Sequence, residues 1–190
     1  GMNGTVNFSD TSFFFPWTPM MGFGGTFDGQ NHVISGLYVD DPYGDWAGFI
    51  AYTEGDAVIK NLGVVDSYIR GGSAGGLVGL SSYYSLKIFN CFNASHIVSV
   101  STNAGGLVGR GGDSLIVQDS YNSGFVESGR YAGGIIGAAA DISIIKGCHN
   151  VGTIRGSDAG GIIGEVDGKK IISWCYNEGL IEGRSYSGGI

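Results

Sequence analysis

The chain has 190 residues, of which 37 are glycine and only 3 are proline, and its 17 acidic and 10 basic side chains give a net charge of −7. Glycine without proline excludes a collagen triple helix, and a hydrophobic content of 43% argues against a disordered chain. The acidic balance and the lack of any run of Lys or Arg argue against nucleic-acid binding, and no apolar run is long enough for a membrane-spanning helix.

Residues 1–22 precede the regular part of the chain and are predicted to form a cap segment. Their sequence FFFPW, at residues 13–17, is rich in aromatic side chains. The ends of a stacked β-structure expose core side chains and unpaired strand edges, so we expect this segment to cover the first repeat unit.

Residues 23–190 form a repeat with one unit every 27–30 residues. The clearest element is AGGLVG at 74–79 and 104–109, which returns as AGGIIG at 132–137 and 159–164, with partial copies at 47–50 and 187–190. A second element keeps the same period, and its copies lie at 88–97, 117–126, 145–154 and 172–181, with earlier relatives at 59–64 and 34–39. Together these copies define about six units.

Each unit contains three short apolar runs that are rich in Ile and Val and separated by glycine or polar residues. Such runs are too short for helices and are typical of strands. We therefore predict an all-β fold, a right-handed parallel β-helix (β-solenoid) of about six coils of 27–30 residues. Each coil would contain three short strands and stack on the last at roughly 4.8 Å.

Stacking places aligned residues on top of one another, which predicts four ladders. The first is apolar and inward-facing, the second holds free thiols, the third links coils through side-chain amides, and the fourth is an outward column of alternating charge. Their members are Leu77, Leu107, Ile135 and Ile162; Cys91, Cys148 and Cys175, with Leu62 and Ser120 in the same column; Asn93, Asn122, Asn150 and Asn177; and Glu127, Arg155 and Glu182.

The GGLVG and GGIIG elements, with the C-[YFH]-N-x-G element between them and the segment at 23–39, resemble the GLUG-motif repeats. The resemblance covers residues 23–190 and implies a large secreted or surface-anchored bacterial protein, hence an extracellular or cell-surface location. Relatives include adhesins and proteins described as IgA-specific metallopeptidases, whose chemistry lies outside the repeats. Because the chain ends inside a motif copy, at Gly188-Gly189-Ile190, flanking repeats or domains are predicted partners.

Motifs for catalysis and metal binding are weak or missing, and we predict no catalytic residue, metal site or cofactor. No glycine-rich copy ends in GK[ST], no HExxH occurs, and Ser73 in a GxSxG match sits among the glycines of the repeat. Two alternatives stay open. Carboxylates in the turns after the glycine motif could serve carbohydrate chemistry, and those of the 40–45 loop could hold Ca²⁺. The residues are Asp113, Asp141, Glu165 and Asp167 for the first, and Asp40, Asp41 and Asp45 for the second.

Aromatic residues are the best candidates for binding. Trp46, Tyr131 and Tyr186 share the position just before the AGG motif, and Tyr83 and Tyr84 lie in the turn SSYYS. Exposed rings stack on sugars or anchor proteins, although packing within the turns is the alternative. We predict a non-catalytic adhesin, binding or spacer module of a secreted or cell-surface bacterial protein, with a host glycan or protein as partner. The alternative is part of a hydrolase, either IgA1-protease-like or a carbohydrate-active β-helix enzyme.

Overall fold

A computed structural model describes residues 15–139 and 141–190. In this part of the chain all regular structure is β-strand, every strand pairing is parallel, and the strands stack into a β-solenoid of about six turns. No helix among these residues is long and apolar enough to cross a membrane. The strands are β1 (Phe15–Pro16), β2 (Phe23–Ser35), β3 (Leu37–Asp40), β4 (Trp46–Ala47), β5 (Ile50–Gly75), β6 (Val78–Ser81), β7 (Ser85–Phe89), β8 (Phe92–Gly105), β9 (Val108–Gly111), β10 (Ser114–Gln118), β11 (Tyr121–Asn122), β12 (Phe125–Ser128), β13 (Tyr131–Gly133), β14 (Ile136–Ala139), β15 (Ile142–Lys146), β16 (His149–Asn150), β17 (Ile154–Gly160), β18 (Ile163–Val166), β19 (Lys170–Ser173), β20 (Tyr176–Asn177) and β21 (Ile181–Gly188).

The aligned copies of the repeat pair in register, as the sequence predicts. Ile88, Val117, Ile145 and Ile172 are successive partners on β7, β10, β15 and β19. In later coils the second apolar run bends at a corner and so contributes two strands, such as β15 and β16, whereas β5 runs through most of a coil without a break.

The first unit is aligned differently from the sequence-based expectation, which placed Ile34 in the column of Ile59. In the structure Phe27 pairs with Ile59, and Ile34 pairs with Val64. Between Asp28 and His32 the register shifts, because Gln30 and Asn31 take the left-handed conformation with φ of 51° and 63°. This extra turn displaces the following residues along the coil.

The N-terminal end of the core is covered by aromatic contacts. The Trp17 ring stacks on Phe49 with centroids 5.5 Å apart, and its Nε1 donates to the Phe49 carbonyl oxygen at 3.1 Å. The Phe27 ring meets the edge of Phe49 at 5.2 Å. Of the other aromatic residues expected in the cap, Phe15 on β1 is 72% exposed, and Phe13 and Phe14 lie outside the described residues. The boundary of the cap at residue 22 stays a prediction.

The apolar ladder and the Asn ladder lie in the interior of the solenoid. The four members of the apolar ladder are completely buried. The Asn ladder is joined by Nδ2-to-Oδ1 hydrogen bonds of 2.8, 2.8 and 2.7 Å from Asn93 through Asn122 and Asn150 to Asn177. At the N-terminal end of the ladder, Asn93 pairs with Val64 in the preceding coil. The Oδ1 atom of Asn93 has no hydrogen-bond partner within the described residues.

The cysteine ladder and the charged ladder are less regular than the first two. All three cysteines are free thiols, and burial raises the pKa of Cys91 to about 11. In the charged column, Arg155 Nε lies 2.7 Å from Glu182 Oε2, so the ion pair forms with this neighbour. The guanidinium of Arg155 also lies 5.3 Å from the centroid of the Phe125 ring.

A further column marks the corner before the cysteines, where the backbone is left-handed. Its members Asn61, Asn90, Asp119, Gly147 and Trp174 have φ between 49° and 62°. Asn, Asp and Gly tolerate this conformation, whereas a Trp is strained there. The Trp174 side chain is 84% exposed, with the Lys146 Nζ atom 5.8 Å from its ring centroid.

Candidate binding groove

The glycine motif shapes a corner that folds into the body of the solenoid. A Cβ atom at Gly133 would overlap the carbonyl oxygen of Ile136, because the chain reverses sharply there. A Cβ atom at Gly134 would overlap the Gly161 oxygen in the next coil and lie 2.7 Å from the Asn150 Cβ. The corner backbone therefore rests against the Asn ladder, an approach that only glycine permits. The outer surface is correspondingly drawn inward.

Two columns of aligned side chains, some exposed and some buried, lie on either side of this corner. At the first copy, the rings of Trp46 and Tyr52 lie on opposite sides of it, yet their centroids are only 5.3 Å apart. The space between the columns is a groove that runs along the solenoid axis, and we call it the corner groove. One wall is the column Trp46, Ser73, Asn103, Tyr131, Asp158 and Tyr186. The other is the column Tyr52, Leu80, Arg110, Ala138 and Glu165.

Three adjoining cavities occupy the corner groove. The first has a volume of about 240 Å³ and is lined by Trp46 and Tyr52. The second, of about 490 Å³, shares Trp46 with the first and is also lined by Asn103 and Arg110. The third, of about 290 Å³, shares Asn103 and Arg110 with the second and continues to Tyr131 and Glu165. From Tyr52 to Glu165 the groove spans four coil steps, which is about 19 Å at the strand spacing.

The residues predicted to bind divide between two places. Trp46, which is 38% exposed, and Tyr131 line the corner groove, and Tyr186 extends the same column at its C-terminal end. Tyr83 lines a neighbouring cavity of about 320 Å³, while the adjacent Tyr84 is exposed outside these cavities. Binding by any of these five residues stays a prediction.

Sequence reasoning missed Tyr52 and Arg110 in the second wall, whereas Glu165 of the same wall was among the predicted turn carboxylates. The members of this column differ in size and charge, because Arg110 aligns with Tyr52, Leu80, Ala138 and Glu165 of the other coils. Nothing in the sequence therefore indicated that these positions lie in one wall. The one available sign was that the residue directly after each GxxG motif varies while the motif itself is repeated.

Tyr131 is held in place from two sides. The guanidinium carbon of Arg130 lies 4.4 Å from the centroid of the Tyr131 ring. A hydrogen bond with Glu165, burial and the negative charge of that carboxylate raise the pKa of Tyr131 above its usual value. The wall of the third cavity is therefore a connected set of Arg130, Tyr131 and Glu165.

The structure brings together only some of the residues that the catalytic alternatives would need. Ser73 is buried, and its Oγ accepts from Asn103 Nδ2 at 3.3 Å. Within the described residues, no histidine lines the cavity that contains Ser73. Of the four turn carboxylates, Glu165 and Asp167 line the third cavity of the corner groove. The other two, Asp113 and Asp141, lie with Tyr83 in the neighbouring cavity.

The loop at 40–45 uses its carboxylates for local contacts. Asp40 Oδ1 lies 3.0 Å from Arg70 Nη1, and Asp41 Oδ1 accepts from the Gly44 amide at 2.8 Å. In the part of the chain that the structure describes, no three His, Cys, Asp or Glu side chains are grouped to hold a metal ion.

The fold is shared with a crystal structure from Bacteroides ovatus that is named a "putative immunoglobulin A1 protease", with a TM-score of 0.64 and 24% sequence identity. The match covers 80% of this chain and 51% of that one, so this chain spans about half the length of that structure. No protein-family model and no curated protein matches the chain. The likeness establishes the shared β-solenoid fold, and the GLUG resemblance stays a prediction.

Proposed function

We propose that this β-solenoid is a non-catalytic binding module of a secreted or cell-surface bacterial protein, and that its corner groove binds an extended glycan chain. The observation that carries the proposal is the groove itself, about 19 Å long by the strand spacing and lined by aromatic rings and polar side chains. Ring faces stack on the apolar faces of sugars, while polar groups bind hydroxyls.

Two features support binding over a purely mechanical spacer. Trp46 and Tyr131 are large rings in a column whose two members between them, Ser73 and Asn103, are buried, so both rings project beside the groove. The groove also runs along the axis, which suits a linear ligand. The GLUG resemblance and the fold shared with the Bacteroides ovatus structure support a secreted bacterial setting.

The test is a glycan array followed by calorimetry on the best ligand, with Trp46→Ala and Tyr131→Ala as groove variants. Tyr176→Ala is the matched control, because its ring is similarly exposed but lies outside the corner groove. We expect each groove variant to lose at least tenfold in affinity and the control to bind as the wild type does. Equal losses in all three, or no glycan bound by the wild type, would overturn the proposal.

The hydrolase alternative rests on Glu165 and Asp167, two carboxylates in the third cavity. The same ligand, incubated with the protein and assayed for new reducing ends, distinguishes the two functions. IgA1 incubated with the protein and analysed for fragments covers the peptidase alternative. Binding without product in either assay is the expected result, and product that disappears in Glu165→Gln would establish an enzyme instead.

A further inference from the structure

The third cavity of the corner groove carries two arginines, although the chain is acidic overall. Arg110 and Arg130 are both exposed and both line this cavity. Among the described residues, the ion pairs involve Lys60, Arg70 and Arg155, and neither Arg110 nor Arg130 makes a side-chain hydrogen bond. Two guanidinium groups are therefore available to a ligand.

The position of Arg130 is restricted by its neighbour. Its guanidinium lies over the Tyr131 ring at 4.4 Å, a cation–π contact that orders a side chain with many rotamers. Tyr131 and Glu165 line the same cavity, and the Glu165 carboxylate raises the pKa of the Tyr131 hydroxyl. An ordered guanidinium loses less conformational entropy on binding, so Arg130 is suited to hold a planar anion.

The negative charges of the cavity lie towards its other end. Arg110, Ala138 and Glu165 are successive members of one column, so Arg110 and Glu165 are two coils apart, about 10 Å at the strand spacing. The small Ala138 side chain between them leaves the floor open. The cavity is therefore cationic towards Arg110, while at the Glu165 end a carboxylate can accept hydrogen bonds from hydroxyl groups.

From this arrangement we infer that the corner groove binds a carboxylate-bearing glycan, with a sugar carboxylate on Arg110 and Arg130 and sugar hydroxyls on Glu165. The guanidinium fork matches a carboxylate in shape and charge. A neutral glycan could offer these guanidinium groups only hydroxyl acceptors, which bind them less strongly than a carboxylate does. The inference rests on the proposed glycan-binding function and adds the chemical class of the ligand.

The test compares polymers that differ only in the carboxylate. Hyaluronan, polygalacturonate and polysialic acid, all free of sulfate, are each titrated beside their carboxyl-reduced forms. Arg110→Ala and Arg130→Ala remove the proposed contacts, and Lys87→Ala is the control because it removes one exposed positive charge outside the corner groove. Thermal unfolding of every variant reports whether the fold is retained.

We expect at least one carboxylated polymer to bind about tenfold or more tightly than its reduced form. Each arginine variant should lose that preference, whereas Lys87→Ala should keep it. Equal binding of both forms would overturn the charge inference and leave glycan binding standing. Equal effects of Lys87→Ala and Arg110→Ala would reduce the preference to general electrostatics and overturn the inference as well. No binding of any polymer, charged or reduced, would overturn both this inference and the proposed function.

Discussion

The Asn ladder gives the sharpest stability prediction, and Asn122→Ala is the perturbation that tests it. Asn122 is completely buried at the centre of the ladder. Its Nδ2 donates to Asn150 Oδ1 at 2.8 Å and to the Gly124 oxygen at 3.2 Å. Its Oδ1 accepts from Asn93 Nδ2 at 2.8 Å and from the Gly124 amide at 3.3 Å. Alanine removes all four bonds.

The expected cost follows from what remains buried. Each hydrogen bond contributes about 1 kcal/mol, and a buried donor left without a partner costs about 1–3 kcal/mol. Asn122→Ala should therefore lower the free energy of unfolding by about 4 kcal/mol, a large share of a typical total of about 5–15 kcal/mol. Asn177→Ala at the partly exposed end removes two side-chain bonds and should cost only about 1–2 kcal/mol.

The assay is urea unfolding followed by both circular dichroism and Trp fluorescence, since coincident transitions are needed to extract a single free energy. Ser123→Ala is the control next to Asn122. Its side chain is exposed and donates a single long hydrogen bond of 3.4 Å to the Asn93 carbonyl oxygen, so the change should cost no more than about 1 kcal/mol. If Asn122→Ala costs no more than Asn177→Ala, the ladder hydrogen bonds do not stabilise the stack as proposed.

Three further predictions concern pH, the glycine corner and the left-handed corner. Burial lowers the pKa of His96 below its usual 6.5. The unfolded state therefore binds more protons below pH 6.5, and the urea midpoint should fall on going from pH 7.5 to 5.5. The urea midpoint of His96→Phe should fall less over the same pH change. Equal falls in the variant and the wild type would show that His96 does not cause the pH dependence. Gly133→Ala should cost at least about 2 kcal/mol in urea unfolding, because its Cβ would overlap the corner backbone, whereas Gly189→Ala, with open space around it, should cost little. Trp174→Asn should raise the free energy of unfolding by about 0.5 kcal/mol, since relief of left-handed strain outweighs the lost Lys146 contact. A lower melting temperature for this variant would show that the left-handed backbone at Trp174 is not strained enough to destabilise the fold.

The stacking of the coils was predictable because a parallel solenoid superposes residues that recur at the period of the repeat. Leu107 and Ile135 had to share a column, as did Asn122 and Asn150, and the structure has both pairs in neighbouring coils. The alignment failed in the first unit, where Gln30 and Asn31 insert an extra turn and shift the register between Asp28 and His32. A sequence repeat therefore predicts only those features that recur in every unit.

The corner groove could be predicted only in part. Trp46 and Tyr131 were expected to be exposed because they precede the glycine motif in equivalent positions. That Arg110 faces Tyr131 depends on the direction of the chain after the corner, and the spacing of glycines does not give that direction. The close approach of Gly134 to Asn150 is a contact between two columns, which an alignment of single columns cannot show.

The same contact links the corner groove to the Asn ladder. The paired glycines let the corner backbone reach the Asn ladder, and this inward position makes room for the groove outside. Residues that meet the ladder cannot vary, since even one methyl group at Gly134 would collide with the next coil. The six equivalent positions of the groove wall do vary, and they hold Trp46, Ser73, Asn103, Tyr131, Asp158 and Tyr186, of which Ser73 and Asn103 are buried. For the binding function proposed above, ligand specificity could therefore change at the exposed positions of the groove walls with little cost to the stack.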